Sequence, residues 1–340
     1  MLPVIDGHND ALTRDDHALL ATGTAGHLDL PRMRAGGVRA AFFAVFTEGP
    51  DTASDPVARD DGVIEFPEAA RVPHPQAAAD AAAVAGRLAA LERSGALTIA
   101  RTIEDIDQAR DGDGPPAAIL HLEGAEAIDP GLESLEHWYA AGLRSVGPVW
   151  SRANDFAHGV PFISPSSPDT GPGLTEAGER LVRRCAQLGI MIDLSHLNEA
   201  GFWDVARADA GPLVASHSGV HALCQTSRNL TDRQLDAIGS SNGLVGIVYA
   251  CQFLRSDFSE DPDTPIELIA RHAAYVAERI GVEHVALGSD FDGTEIPAAV
   301  GDVAGVPRVL EALAGAGFSE PELRAVAWEN WRRVLADWWR

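Results

Sequence analysis

Short runs of nearly unbroken apolar residues alternate along this chain with longer, Ala-rich stretches whose apolar positions recur at three- and four-residue spacing. The first pattern is that of strands buried on both faces, the second that of helices laid against a sheet. Eight strand-like runs are read, at residues 4–10, 39–46, 117–122, 143–150, 191–195, 213–216, 243–250 and 284–289. Helices are expected at 76–93, 131–141, 175–188, 199–208, 232–238 and 265–280. Ser94-Gly95 supplies a stop for the first of these, and Gly142, Gly189 and Gly281 stand where a left-handed helix cap is favoured. The tail from residue 306 holds two more helices, with Ser319 as the cap of the second. Residues 47–75 are polar, rich in Asp and Pro and without period, and read as a long loop. Eight apolar strands alternating with helices predict an α/β fold, a parallel sheet closed as a (β/α)8 TIM barrel. No internal repeat or linker divides the chain, so residues 1–340 are read as one domain.

In such barrels chemistry gathers at the C-terminal ends of the strands. The candidate ligands and proton carriers of this chain fall there. His8 and Asp10, two apart, project from one face of the first strand. Glu123, His196, His217 and Asp290 follow four later apolar runs. Each has a duller account taken singly: Glu123 as a loop cap, His196 as a satisfied core histidine, His217 as part of a turn. Their recurrence at successive strand ends is what favours a metal centre. Imidazoles and carboxylates suit zinc and its neighbours, and three His with two carboxylates can hold two divalent ions when one carboxylate bridges. Such a pair acidifies water and polarises the group attacked, which fits amide or ester hydrolysis, with Asp290 moving the proton.

Composition narrows the setting. The chain has 340 residues, 46% of them hydrophobic and 22% charged, an ordinary globular balance. A net charge of -24 without any basic run disfavours nucleic acid and anionic membrane surfaces. No segment approaches the length of a membrane-spanning helix and no leader is read at the N-terminus, so a cytoplasmic location is expected. Cys185, Cys224 and Cys251 are odd in number and far apart, and are expected to be buried thiols. There is neither a Gly-x-Gly-x-x-Gly turn after the first strand nor a phosphate loop.

Taken together, Asp6-Gly7-His8-Asn9-Asp10, Glu123-Gly124, Asp193-Leu194-Ser195-His196, Ser216-His217-Ser218, Ser227-Arg228-Asn229 and Gly288-Ser289-Asp290-Phe291-Asp292-Gly293 resemble the membrane (renal) dipeptidase family of the amidohydrolase superfamily. The resemblance runs over nearly the whole chain and is closest to soluble bacterial-type members. It implies a binuclear zinc dipeptidase in which His8, Asp10 and Glu123 hold one ion, and Glu123, His196 and His217 the other. It also implies Arg228 as the grip on the substrate's C-terminal carboxylate and Asp290 as the proton carrier, with Asp292 as the second candidate. Substrates would be free dipeptides, among them those with a D-residue at the C-terminal position.

One position departs from the family pattern. Trp150 stands where well-known members have a histidine that contacts the substrate carbonyl. Indole donates one hydrogen bond and cannot become a cation, so oxyanion stabilisation would pass to a metal or another donor, His158 being one candidate. Trp150 is equally suited to shaping the pocket wall. Two other function classes stay open: a different amidohydrolase activity on N-acyl-amino acids, lactones or phosphotriesters, and a catalytically weak metal-binding homologue. Arg228 argues against the first, and the intact ligand set against the second. The expected partner is a small dipeptide, and a homodimer stays open.

Overall fold

The computed structural model describes residues 1–49, 55–111 and 114–339. Eight parallel strands form one path of hydrogen-bonded neighbours: β1 (Val4–Asn9), β2 (Val38–Phe46), β3 (Ala117–Glu123), β4 (Leu143–Gly147), β5 (Met191–Ile192), β6 (Val214–Ser218), β7 (Leu244–Ile247) and β8 (Val285–Leu287). β6 to β8 pair onto β1, and β2 to β5 follow on its other side. The ring between β5 and β6 is completed by a parallel bridge from Asp193 to Val214, with Leu194 N donating to Val214 O at 2.8 Å. The expected (β/α)8 barrel is therefore the observed architecture. Thr98–Ile99 adds a short parallel strand beside β3.

Strand registers bring the chemistry to one level. β2 and β3 pair without interruption from Ala40 with Ala117 to Phe46 with Glu123, so Glu123 closes β3 at the height where β2 ends. Trp331, from the C-terminal helix Asn330–Trp338, fills the barrel interior beneath the site: its ring lies 4.7 Å from Phe42 and its Nε1 donates to Leu287 O at 3.0 Å. That packing explains Gly7 between Asp6 and His8. A Cβ there would sit 2.6 Å from both Ser216 O and the Trp331 ring.

Helices appear at every expected place, with ends moved by a few residues: His74–Arg93, Glu133–Ala141, Glu176–Leu188, Glu199–Ala208, Asp232–Ser240, Glu267–Ile280 and Val306–Gly315. Ser319 caps Glu320–Arg324 through a reciprocal bond with Glu322, and a π-turn at Ala325–Glu329 carries the tail into its last helix. Gly142 and Gly189 cap their helices in the left-handed region. The segment read as a loop is corrected in part. Val57–Ala58 and Ile64–Glu65 form an antiparallel hairpin that pairs with Ile163–Ser164, whereas residues 50–54 of that segment lie outside the described residues. The hairpin seats Phe66 against Phe162 and Phe258, giving the barrel mouth an aromatic flank. Helices at Leu30–Ala35 and Ile103–Asp111 were not expected. The three cysteines are free and buried, and no helix among the described residues is long and apolar enough to cross a membrane.

Candidate active site

Six of the ten singled-out side chains converge above the barrel axis. His8 Nε2 is 3.3 Å from Asp10 Oδ2 and 3.5 Å from Glu123 Oε2. The other oxygen of Glu123, Oε1, faces His196 Nε2 at 3.1 Å and His217 Nε2 at 3.6 Å. One carboxylate thus divides its two oxygens between two groups of ligands. Asp290 joins the first group, a ligand atom each of His8, Asp10 and Asp290 lying within 4.8 Å of one another. Gly293 belongs to this corner too, since a Cβ on it would meet Asp10 Oδ2 at 2.3 Å and Asp290 Oδ1 at 2.4 Å. His196, Asp290 and Asp292 all have positive φ, at 67°, 63° and 69°. Such backbone is costly outside glycine, and it is held here by the turns that aim these side chains inward.

The electrostatics set His8 apart from the other two imidazoles. Burial opposes a charge on His8, yet Glu123 and Asp10 hold its pKa well above 6.5. Burial, aided by Arg228, lowers His196 to about 4, and burial with the neighbouring His8 puts His217 well below its ordinary value. Asp290 is pushed up to about 7, chiefly by burial, with Asp10 and Glu123 adding to the shift and His8 and Arg228 opposing it. Burial also works against Asp193, but the His121 ring and the donors of Ser216 and Ser195 outweigh it and hold that carboxyl below 3.8.

The donor set fits divalent metal ions. Nδ1 of the fully buried His8 has no partner, and its Nε2 faces the Asp10 and Glu123 carboxylates at 3.3 and 3.5 Å without hydrogen-bond geometry. His196 and His217 place Nε2 against Nε2 at 3.1 Å while their Nδ1 atoms are engaged by Ser151 and Ser216. Buried imidazoles without partners are costly unless a cation takes their lone pairs.

Above the cluster lies a cavity of about 640 Å³, walled by Phe46, Phe66, Trp150, Phe162 and Phe253, with Asp10, Glu123, His196 and Asp290 on its floor. Trp150 packs edge-on to Phe46 and Phe162 and lies 5.8 Å from the His196 ring. Arg228 is buried outside this lining, its guanidinium 5.6 Å from the Phe253 ring. Its Nη1 donates to Ser218 Oγ and its Nη2 to the His217 carbonyl, whereas Nε has no partner. Asp292 is spent on structure: its two oxygens accept from the main-chain N–H groups of His27 and Leu28. His158 is turned to the Gly173 carbonyl, 3.3 Å away, and is absent from the cavity wall.

Sequence reasoning missed Ser151, the aromatic wall of Phe46 and Phe162, and the buried pair of Arg152 and Glu126, whose Nε and Oε1 are 3.0 Å apart. Only the Ser151-Arg152 neighbourhood of Trp150 hinted at them, because each partner lies in a different strand-end loop.

The chain is similar to known metallopeptidases. A crystallised metallopeptidase of family M19, dipeptidase AC, superposes with a TM-score of 0.92 at 45% identity, covering 99% of both chains. A metallopeptidase from Rhodobacter sphaeroides, solved with a phosphinate mimic of the dipeptide L-Ala-D-Ala, does so with a TM-score of 0.92 at 43% identity, again over 99% of both. An uncharacterised protein encoded 5' of pqqA in Klebsiella pneumoniae is 47% identical over 247 residues, 73% of this chain and 91% of that protein. The model of the membrane dipeptidase family, peptidase family M19, matches residues 1–338, and the chain belongs to that family of metal-dependent dipeptidases.

Proposed function

We propose that the protein is a binuclear zinc dipeptidase acting on free dipeptides, including those with a D-residue at the C-terminal position. The observation that carries the reading is the division of Glu123: Oε2 toward His8, Oε1 toward His196 and His217. That geometry suits a carboxylate bridging two ions, one held with His8 and Asp10, the other with His196 and His217. When bound, the ions polarise the scissile carbonyl and bring the pKa of water toward neutrality.

The remaining work falls to the chain. Asp290, with a pKa drawn to about 7, takes the proton of the attacking water and returns it to the departing amine. Arg228 is clamped in one orientation by Ser218 and the His217 carbonyl, and its free Nε is a donor for the substrate's C-terminal carboxylate. Trp150, Phe46 and Phe162 exclude water over the reacting bond and bound the space for side chains. The Rhodobacter sphaeroides relative, solved with a tetrahedral mimic of an L,D-dipeptide, supports both the substrate class and the D-residue.

The test compares dipeptides with their C-terminal amides and with longer peptides. A carboxylate contact predicts a loss in kcat/KM of about a hundredfold or more for the amide, since it withdraws the charged acceptor from the otherwise unpartnered Nε of the buried guanidinium. Arg228→Ala should shrink that gap. Equal rates on acids and amides with the wild-type protein would overturn the dipeptidase reading.

A further inference from the structure

Asp193 and Ser216 lie behind His217, away from the cavity. Ser216 Oγ is 2.5 Å from Asp193 Oδ2 and 2.8 Å from His217 Nδ1. A hydroxyl has one proton to give. Asp193 Oδ1 already accepts from the main-chain N–H groups of Ser195 and Ser216, at 3.1 and 2.8 Å, so the carboxylate acts as an acceptor throughout. The Ser216 proton therefore goes to Asp193 Oδ2; the other hydroxyl near it, Ser195 Oγ, is 3.5 Å away. The contact between Ser216 Oγ and His217 Nδ1 must then carry the proton of the imidazole, which leaves Nε2 bare.

We propose that Asp193, acting through Ser216, is a positioning residue that selects the Nδ1–H tautomer of His217 and so presents a proton-free Nε2 to the metal position beside Glu123. The proposal rests on the metal reading above and names what holds one of its ligands in the coordinating form. Oδ1 of residue 193 is fixed by two main-chain donors. In the near-isosteric Asp193→Asn, that position must stay an oxygen, so the amide nitrogen falls opposite Ser216 Oγ. It donates there, turns the hydroxyl round, and makes Ser216 a donor to His217 Nδ1. The imidazole proton is then driven to Nε2, the atom that should meet the metal. Ser216→Ala instead removes the relay and leaves both tautomers accessible.

The order of harm is thus unusual: the mutation that keeps the shape of the relay is worse than the one that deletes a link. In chelator competition on the full-length, metal-loaded protein, Asp193→Asn should lower zinc affinity about 10- to 100-fold. Ser216→Ala should lower it less. The double mutant should return to the Ser216→Ala value, because the misdirected hydroxyl is gone. A purely structural role predicts losses that add, with matching drops in Tm. Equal or greater loss in Ser216→Ala, or additive loss in the double mutant, overturns the proposal. Should Asp193→Asn fail to fold, long-range 1H–15N spectra of the wild-type protein decide the matter: His217 carrying its proton on Nδ1 upholds the assignment, and a proton on Nε2 overturns it. Wild-type protein that binds no metal at all would strike at the proposed function instead. Wild-type protein that binds metal, with Asp193→Asn binding it equally well, strikes at this inference alone.

Discussion

His196 and His217 bring their Nε2 atoms to within 3.1 Å of each other while both face Glu123 Oε1. At that spacing either one ring donates its N–H to the other, or both Nε2 atoms are bare, as metal ligation requires, and a cation must lie among their lone pairs. Protein purified without chelator is expected to carry about two divalent ions per chain, measured by elemental analysis. Glu123→Gln should lower occupancy at both positions, because an amide keeps one acceptor and turns a donor on the other group. Stripping the ions should lower Tm, since ligands that bind only the folded state stabilise it by mass action. A single ion in fully active protein would refute the binuclear reading.

Asp290 and Asp292 lie two residues apart, and the proposed function gives them different duties that mutation should separate. Asp290→Asn keeps the shape but removes the proton acceptor, so kcat should fall by about 10² to 10⁴ while metal content holds. Asp292→Asn leaves one of the His27 and Leu28 main-chain donors facing an amide nitrogen. Its cost should appear as about 1 to 3 kcal/mol of stability, read by denaturant unfolding. A fully active Asp290→Asn would transfer the proton-carrying role elsewhere.

These residues also mark how far the sequence could be read. The barrel was legible because strands buried on both faces leave long apolar runs, and because His8 and Asp10, two apart on β1, must share a face. The hairpin of Val57–Ala58 and Ile64–Glu65 was not, since a strand of two residues has no period to detect. The helices Leu30–Ala35 and Ile103–Asp111 carried their signals in cap chemistry instead. Asp29 caps the first, with Pro31 behind it, and Asp105 accepts from Thr102 N and Oγ1 at the start of the second. The direct ligand candidates could be named from their strand ends, whereas Ser151, beside His196, and Glu126, beside Arg152, become visible only once the loops are folded together.

Arg152 and Glu126 offer a test of that folded arrangement. The guanidinium is fully buried, bonded to Glu126 Oε1 and to the Thr47 carbonyl, and lies 5.1 Å from the Phe46 ring and 5.4 Å from that of Trp150. It therefore ties the ends of β2 and β4 beneath two walls of the cavity. Arg152→Ala leaves Glu126 as an uncompensated buried charge and should cost about 3 to 5 kcal/mol in denaturant unfolding. Replacing both partners together, Arg152→Met with Glu126→Leu, should recover most of the loss. A double mutant as unstable as the single one would mean that the pair does more than offset its own burial.

Outside the group of candidate ligands, His272 should make stability depend on pH. It is fully buried; its Nδ1 accepts from Val220 N at 3.0 Å, and its Nε2 donates to the Leu254 carbonyl at 3.2 Å. Only the neutral ring can do both, and burial lowers the pKa from 6.5 to about 4. Above pH 6.5 the ring is neutral in folded and unfolded chains alike and pH has no leverage through it. As pH falls below 6.5 the unfolded chain takes up a proton that the folded one refuses, so stability is lost progressively until about pH 4, where the folded ring protonates as well. At about 1.4 kcal/mol per pKa unit the loss through this one residue approaches 3 kcal/mol. His272→Gln keeps a donor and an acceptor without a titratable ring. Unfolding free energies of the two proteins measured from pH 7 to pH 4 should converge as the wild type weakens, because every other titrating group, the metal ligands included, contributes equally to both. Curves that stay parallel across that range would show that His272 does not sense pH.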